Sequence, residues 1–239
     1  MTDYICNFYR SVSFDEVTLC KALSALDDIH QGFFPLTFWR DSREKLTVER
    51  AADFSRQAIP SEYFIEPGVA RIPFDAANGA AIVFTESEMP ILSPPGLDIE
   101  FNEATINANA WSVPTFFALF KAIAMSFEPK HGHLADIEEL TRPDHDGVRF
   151  SIDINRVPIS LHWINYFGAE WVQRIGVERL DRLQGEVAAF ERLDTGAILF
   201  ALQEEPFREA NPMHVATQQK FEAVLDLKSL HRAHPNVGF

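Results

Sequence analysis

Cysteine is nearly absent from this chain: Cys6 and Cys20 are the two in 239 residues. So few thiols exclude a disulfide scaffold, and the lack of any C-x-x-C pair excludes a zinc ribbon or a thioredoxin-type redox site. Cys6 falls in an expected strand and Cys20 in an expected helix, so both are read as buried thiols rather than a bridge. Long apolar runs are missing too. The longest, residues 113–127, is broken by Pro114 and Lys121 and is shorter than the roughly 20 residues a membrane-spanning helix needs. The opening Met1-Thr2-Asp3-Tyr4 has neither the basic nor the apolar segment of an export signal. A soluble, cytoplasmic chain is expected. Glycine-rich phosphate loops are absent: there is no G-x-G-x-x-G, no G-x-x-x-x-G-K-[ST] and no G-x-S-x-G elbow. No cofactor is expected.

Positive charge is scarce. Lys and Arg number 21 against 35 Asp and Glu, a net charge of −14. A field of that sign repels nucleic-acid phosphates and anionic lipid surfaces. It draws in a basic protein partner, or serves solubility alone. Tyr and Trp are few, four of each, whereas Phe reaches 21. Phe has no polar handle, so this aromatic area belongs mainly in a core.

What is present reads as α+β. Residues 4–9 form a strand. Ser13 and Glu16 have capping-box spacing for a helix to about Ile29, with Val17, Cys20 and Leu23 on one side. Residues 36–39 predict a strand, 48–58 a helix and 61–68 a loop. Asn78-Gly79 predicts a hairpin between 70–74 and 80–85. In residues 97–101, Leu97, Ile99 and Phe101 alternate with Asp98 and Glu100, a strand with one apolar and one acidic face. Ser112 and Pro114 open a helix to Phe127, apolar over most of its surface and therefore central. Residues 128–147 are polar and turn-rich. They read as a long connection and as the place where the single 1–239 domain would subdivide.

Beyond it, residues 148–154 and 159–166 read as strands. Two short helices follow, then a hairpin about Asp194-Thr195-Gly196 and a closing helix from Asn211-Pro212 to about Leu230. Hairpins imply antiparallel pairing. The expectation is antiparallel sheet built from hairpins with several packed helices, a layout open to two similar α/β halves.

Candidate chemistry is sparse. His131-x-His133-x-x-Asp136 carries metal-ligand residue types, but on a Gly- and Pro-flanked segment it reads first as a solvated loop. His162, beside Trp163 in an expected strand, reads first as a hydrogen-bonded packing histidine, since catalysis would need an orienting carboxylate. Among the many acids, Glu86, Glu88, Asp98, Glu100 and Glu103 bracket two expected strands. They are the candidate partner-binding surface.

Residues 158–168, Pro-Ile-Ser-Leu-His-Trp-Ile-Asn-Tyr-Phe-Gly, precede Glu170-Trp171-Val172, Ile175-Gly176, the hairpin ending at Leu202, Glu205-Pro206 and Asn211-Pro212. This arrangement, over residues 158–228, resembles bacterial immunity proteins of polymorphic toxin systems. In particular it is similar to those paired with restriction-endonuclease-fold toxins delivered by type VI secretion. The resemblance implies a non-enzymatic protein that binds one cognate toxin, with no catalytic residues. Two alternatives stand beside it: a metal-dependent hydrolase using His131, His133 and Asp136, and an adaptor or chaperone that loads an effector.

Overall fold

The computed structural model describes residues 3–29, 32–40, 44–54, 64–66, 69–87, 94–108, 110–141 and 157–233. They separate into two compact units, residues 7–129 and residues 130–239, the latter joined by residues 2–6. The opening strand β1 (Asp3–Tyr9) therefore contributes to both.

In the first unit, helix α1 (Glu16–Asp28) is followed by strands β2 (Leu36–Arg40), β3 (Glu44–Val48), β4 (Phe64–Glu66), β5 (Val69–Ala76), β6 (Ala81–Ser87) and β7 (Gly96–Asn102). Helices α2 (Glu103–Ala108) and α3 (Val113–Phe127) close it. The strands run β7-β6-β5-β2-β3, with β4 also on β5 and the end of β1 beside β7. Each ladder from β2 to β7 is antiparallel. Ile82 faces Ile99 and Phe84 faces Leu97 across the β6–β7 ladder, which puts these apolar side chains on one sheet face. Helix α3 covers that face. Its Phe116, Phe120 and Phe127 lie 5.7, 4.7 and 6.2 Å from Phe101, Phe8 and Phe84. Helix α1 packs on α3, burying Leu19, Ala22, Leu23 and Leu26, an i, i+3, i+4, i+7 stripe.

In the second unit, β8 (His131–Asp136), α4 (Ile137–Thr141), β9 (Ile164–Phe167), α5 (Ala169–Ile175) and α6 (Val177–Asp181) come first. Strands β10 (Ala189–Arg192) and β11 (Ile198–Ala201) and helices α7 (Pro212–Leu225) and α8 (Leu227–Ala233) follow. The strand order is β10-β11-β9-β8, antiparallel throughout. Phe167, Trp171, Ile175, Phe200, Phe221 and Leu225 are among the residues of its apolar core. Antiparallel sheet with packed helices makes the chain an α+β protein. Among the described residues no helix is long and apolar enough to cross a membrane, and no Phe side chain is exposed.

Both expected hairpins form, with the same closure. Ala76 N–H donates to Ala80 O at 2.8 Å and Leu193 N–H to Ala197 O at 2.9 Å. The third loop residue of each, Gly79 or Gly196, has a positive φ of 86° or 82°, which a side chain would resist.

Other elements depart from the sequence pattern. The N-cap of α1 is Asp15, not Ser13; its Oδ1 accepts from Thr18 N–H at 2.8 Å. Phe14 is drawn into the core 5.2 Å from Phe127, which holds residues 13–14 outside the helix. Val17 consequently faces solvent, and Cys20 is only half-buried. The helix expected over 48–58 is instead the end of β3 and a 3-10 turn at Ala51–Asp53. Val48 is held opposite Leu36 in the β2–β3 ladder, and Phe54 is drawn 5.9 Å from Phe74. The loop expected over 61–68 contains β4. Residues 55–63, 88–93 and 142–156 lie outside the described residues, and with them Glu88 and the strand expected at 148–154.

The largest correction is at 128–147. Over its described residues, 128–141, this segment is not a solvated connection: β8 and α4 fill most of it, and every β8 residue is buried. Its polar residues are buried against one another rather than solvated. The strand expected over 159–166 is confined to Ile164–Phe167. The closing helix breaks at Asp226, whose φ of 56° separates α7 from α8.

Candidate functional site

The sheet of the first unit has a second face, turned away from α3. Along β5 the residues pointing to it, Arg71, Pro73 and Asp75, are all exposed. Register carries the pattern across the strands. Asp75 faces Ala81 and Ala81 faces Glu100; Pro73 faces Val83 and Val83 faces Asp98. With strands spaced ~4.8 Å apart, Asp75 and Glu100 stand roughly 10 Å from each other. Between them runs a strip of short apolar side chains, Pro73, Ala81 and Val83. Such a face can take a flat partner surface with cationic groups at its edges.

Asp98 is the unusual member. Asn7 Nδ2 donates to its Oδ1 at 2.6 Å. Burial pushes the carboxyl up to about 6, and the neighbouring Glu100 pushes the same way, while the Asn7 hydrogen bond and Arg71 pull it back. Tyr9 is raised well above the ordinary phenol, chiefly by burial and then by Asp98. A carboxylate held against its own desolvation costs stability at neutral pH, which makes Asp98 a candidate for function rather than for folding.

Asp98→Asn should therefore stabilise the chain. A folded value of about 6 against 3.8 unfolded means that the carboxyl's contribution is fully present below 3.8 and is lost as pH rises through 6. Allowing for solvent screening of a half-buried group, the gain at pH 7.5 is about 1–2 kcal/mol, vanishing below about pH 4. Urea unfolding at the two pH values measures it; a destabilised variant at pH 7.5 would remove Asp98 from the functional surface.

The remaining acids of the expected surface do not all join Asp98 and Glu100. Glu86 shares the covered face with Ile82 and Phe84 and is buried. Glu103 is half-buried in the first turn of α2. Asp75, outside the five acids singled out in the sequence, takes their place; its Oδ2 lies 3.9 Å from Lys45 Nζ.

The second unit holds a buried polar cluster. His131 and His133 share one face of β8, paired in register with Phe167 and Asn165. Asp136 closes the same strand on the opposite parity. Its Oδ1 accepts from Glu138 N–H at 2.9 Å and its Oδ2 from Glu209 N–H at 3.1 Å. Strand alternation thus splits the His131, His133, Asp136 set, and Asp136 holds backbone instead. Among the described residues no group of three His, Cys, Asp or Glu side chains is placed to hold a metal ion.

His162 does have an orienting carboxylate. Its Nδ1 lies 2.8 Å from Glu139 Oε1, and its ring stacks on His133 with centroids 4.1 Å apart. Gln218 Nε2 on α7 donates both to Glu139 Oε1 and to Leu161 O. Burial lowers His131 to about 3 and His133 well below the ordinary imidazole value, with repulsion from His162 adding to both. Both imidazoles are therefore neutral at physiological pH. His133 and Gln218 have no exposed surface and His162 has 1%. The cluster is sealed and ties α4, β8 and α7 together, together with the turn before β9.

The W-x-N-Y-F-G motif is part of this tie. Asn165 Oδ1 accepts from His162 N–H at 2.9 Å and its Nδ2 donates to His162 O at 2.7 Å, closing the turn before β9. That turn moves His162 off the strand alternation that pairs it with Tyr166 in sequence. Trp163 Nε1 donates to Gln203 O at 3.0 Å. Gly168 is the N-cap of α5 and donates its N–H to Lys130 O at 3.0 Å. Sequence reasoning missed Glu139 and Gln218 as partners. They lie 79 residues apart, and no local pattern marks either.

The fold and the open face define an antiparallel α+β protein with a solvent-facing acidic sheet surface. Its fold is similar to that of the Pseudomonas aeruginosa T6SS protein PA0821, with a TM-score of 0.56 at 10% sequence identity, covering 100% of this chain and 77% of that one. No family model and no curated protein matches the sequence.

Proposed function

We propose that this chain is an immunity protein that binds a cognate toxin, a nuclease effector of a type VI secretion system, and neutralises it by direct 1:1 contact in the cytoplasm. The observation that carries the reading is the fold shared over the whole chain with a protein described as a T6SS protein. The resemblance of residues 158–228 to immunity proteins and the charge of −14 support it. A nuclease must present a basic groove to its phosphate backbone. On this reading Asp98, Glu100 and Asp75 of the open β5–β7 face take the place of phosphates in that groove, and the Pro73, Ala81, Val83 strip supplies apolar contact. Charge then sets the association rate and the apolar strip the dissociation rate.

Co-expression with a nuclease effector of a type VI secretion system found in the same gene neighbourhood tests the reading. Cells carrying both genes are expected to survive, and Glu100→Lys with Asp75→Lys is expected to restore killing. Undiminished killing with the unaltered protein sinks the proposal. A nuclease assay on the purified complex separates inhibition from effector loading, because an adaptor leaves the bound nuclease active.

A further inference from the structure

The helical layer of the first unit carries a groove that neither the buried core nor the acidic sheet face uses. It lies between α1 and α3, with a volume of about 810 Å3. Its lining includes small side chains, Ser24 and Ala25 from α1 with Ala122 and Ser126 from α3. Val17 and Met125, at 59% and 79% exposure, stand at its sides. Small residues let a further helix approach at the 8–10 Å interaxial distance of packed helices. An exposed methionine is the adaptable apolar contact of many binding surfaces.

Charge identifies the occupant. Glu16 and Asp28 mark the two ends of α1 beside the groove, and Lys21 lies between them. At 1.5 Å per residue the two carboxylates are ~18 Å apart along the helix. Asp28 sits at the C-terminal end of α1, where the helix carbonyls already make the potential negative and no basic residue occupies the last turn. Arg50 lies by Asp27, 3.8 Å away, rather than by Asp28. A second copy of this chain docked α1 on α1 does not fit. A dyad that pairs α1 with α1 in parallel sets Glu16 on Glu16 and Asp28 on Asp28. The antiparallel dyad sets Glu16 on Asp28 and brings the two Lys21 together. Like charges meet in both.

We infer that the α1–α3 groove docks an amphipathic helix of a partner protein, apolar along one side and carrying Lys or Arg at two positions about 18 Å apart. The proposal does not depend on the chain being an immunity protein.

The probe is a 15-residue helical peptide, with Leu and Ala on one face and Lys at positions 2 and 14; its control carries Glu at both. Cys20 lines the groove and is half-buried, whereas Cys6 is fully buried, so iodoacetamide alkylation followed by mass spectrometry reads occupancy at Cys20. Saturating basic peptide is expected to slow alkylation at least fivefold, and the Glu peptide to leave the rate unchanged. Met125→Asp, at a solvent-facing position that folding tolerates, and Asp28→Lys should each weaken protection at least tenfold in peptide concentration. Unchanged alkylation with the basic peptide, equal protection by both peptides, or protection that survives Met125→Asp overturns the inference. So does a concentration-dependent dimer that protects Cys20 without peptide.

Discussion

Glu139→Ala is expected to destabilise the chain by about 2–6 kcal/mol, because it leaves two buried donors without their acceptor at about 1–3 kcal/mol each. Glu139 Oε1 accepts from His162 and from Gln218, and all three side chains are sealed from solvent. Deleting the acceptor strands donors on α7 and before β9, at positions sealed from solvent in the folded chain. The full desolvation cost then applies rather than the small net value of one hydrogen bond. Glu139→Gln, which keeps an acceptor oxygen, should recover at least half of the loss. Urea unfolding with an unchanged slope measures both variants. A cost below about 1 kcal/mol for the Ala variant would show that the cluster does not tie α4, β8 and α7 together.

Acid should weaken the chain through the same cluster. His131 has a folded value of about 3 against an ordinary 6.5, and His133 is displaced in the same direction. Between those values the unfolded chain binds more protons than the folded one, so stability rises with pH. The histidines' contribution is fully present above pH 6.5 and is lost as pH falls toward 3. From His131 alone the loss between pH 7 and pH 4 is roughly 3 kcal/mol. Asp98 opposes it, because its raised carboxyl gains a proton on folding over part of that range. The measurement therefore belongs in the Asp98→Asn background, where the offset is removed. A stability profile flat from pH 7 to pH 4 in that background would contradict neutral, buried imidazoles.

These two expectations come from residues that the sequence shows but does not connect. Elements whose signal is local were legible. Leu97, Ile99 and Phe101 alternate with Asp98 and Glu100, and β7 buries the first set and turns the second to the open face. The Asn78-Gly79 and Thr195-Gly196 turns, the proline-led α3 and the Asn211-capped α7 needed only neighbours a few residues away. Where tertiary contacts compete with local preference, the local reading failed. Val48 went to a ladder with Leu36, and Phe14 to the aromatic core, against helix and cap signals. At 131–139 the composition itself misled. Histidine and carboxylate in a Gly-containing stretch look solvated until partners from other segments are supplied.

The amino-acid sequence by itself determined the α+β class, the hairpins, the central apolar helix and the sign of the surface field, because period, turn chemistry and net charge are properties of short windows or of sums. Only the tertiary structure decided which polar groups are buried together and which acids share a face. Glu139 meets Gln218 across 79 residues and Asp98 meets Asn7 across 91. Desolvation and hydrogen-bond satisfaction depend on distance in space, and chain folding alone sets that distance.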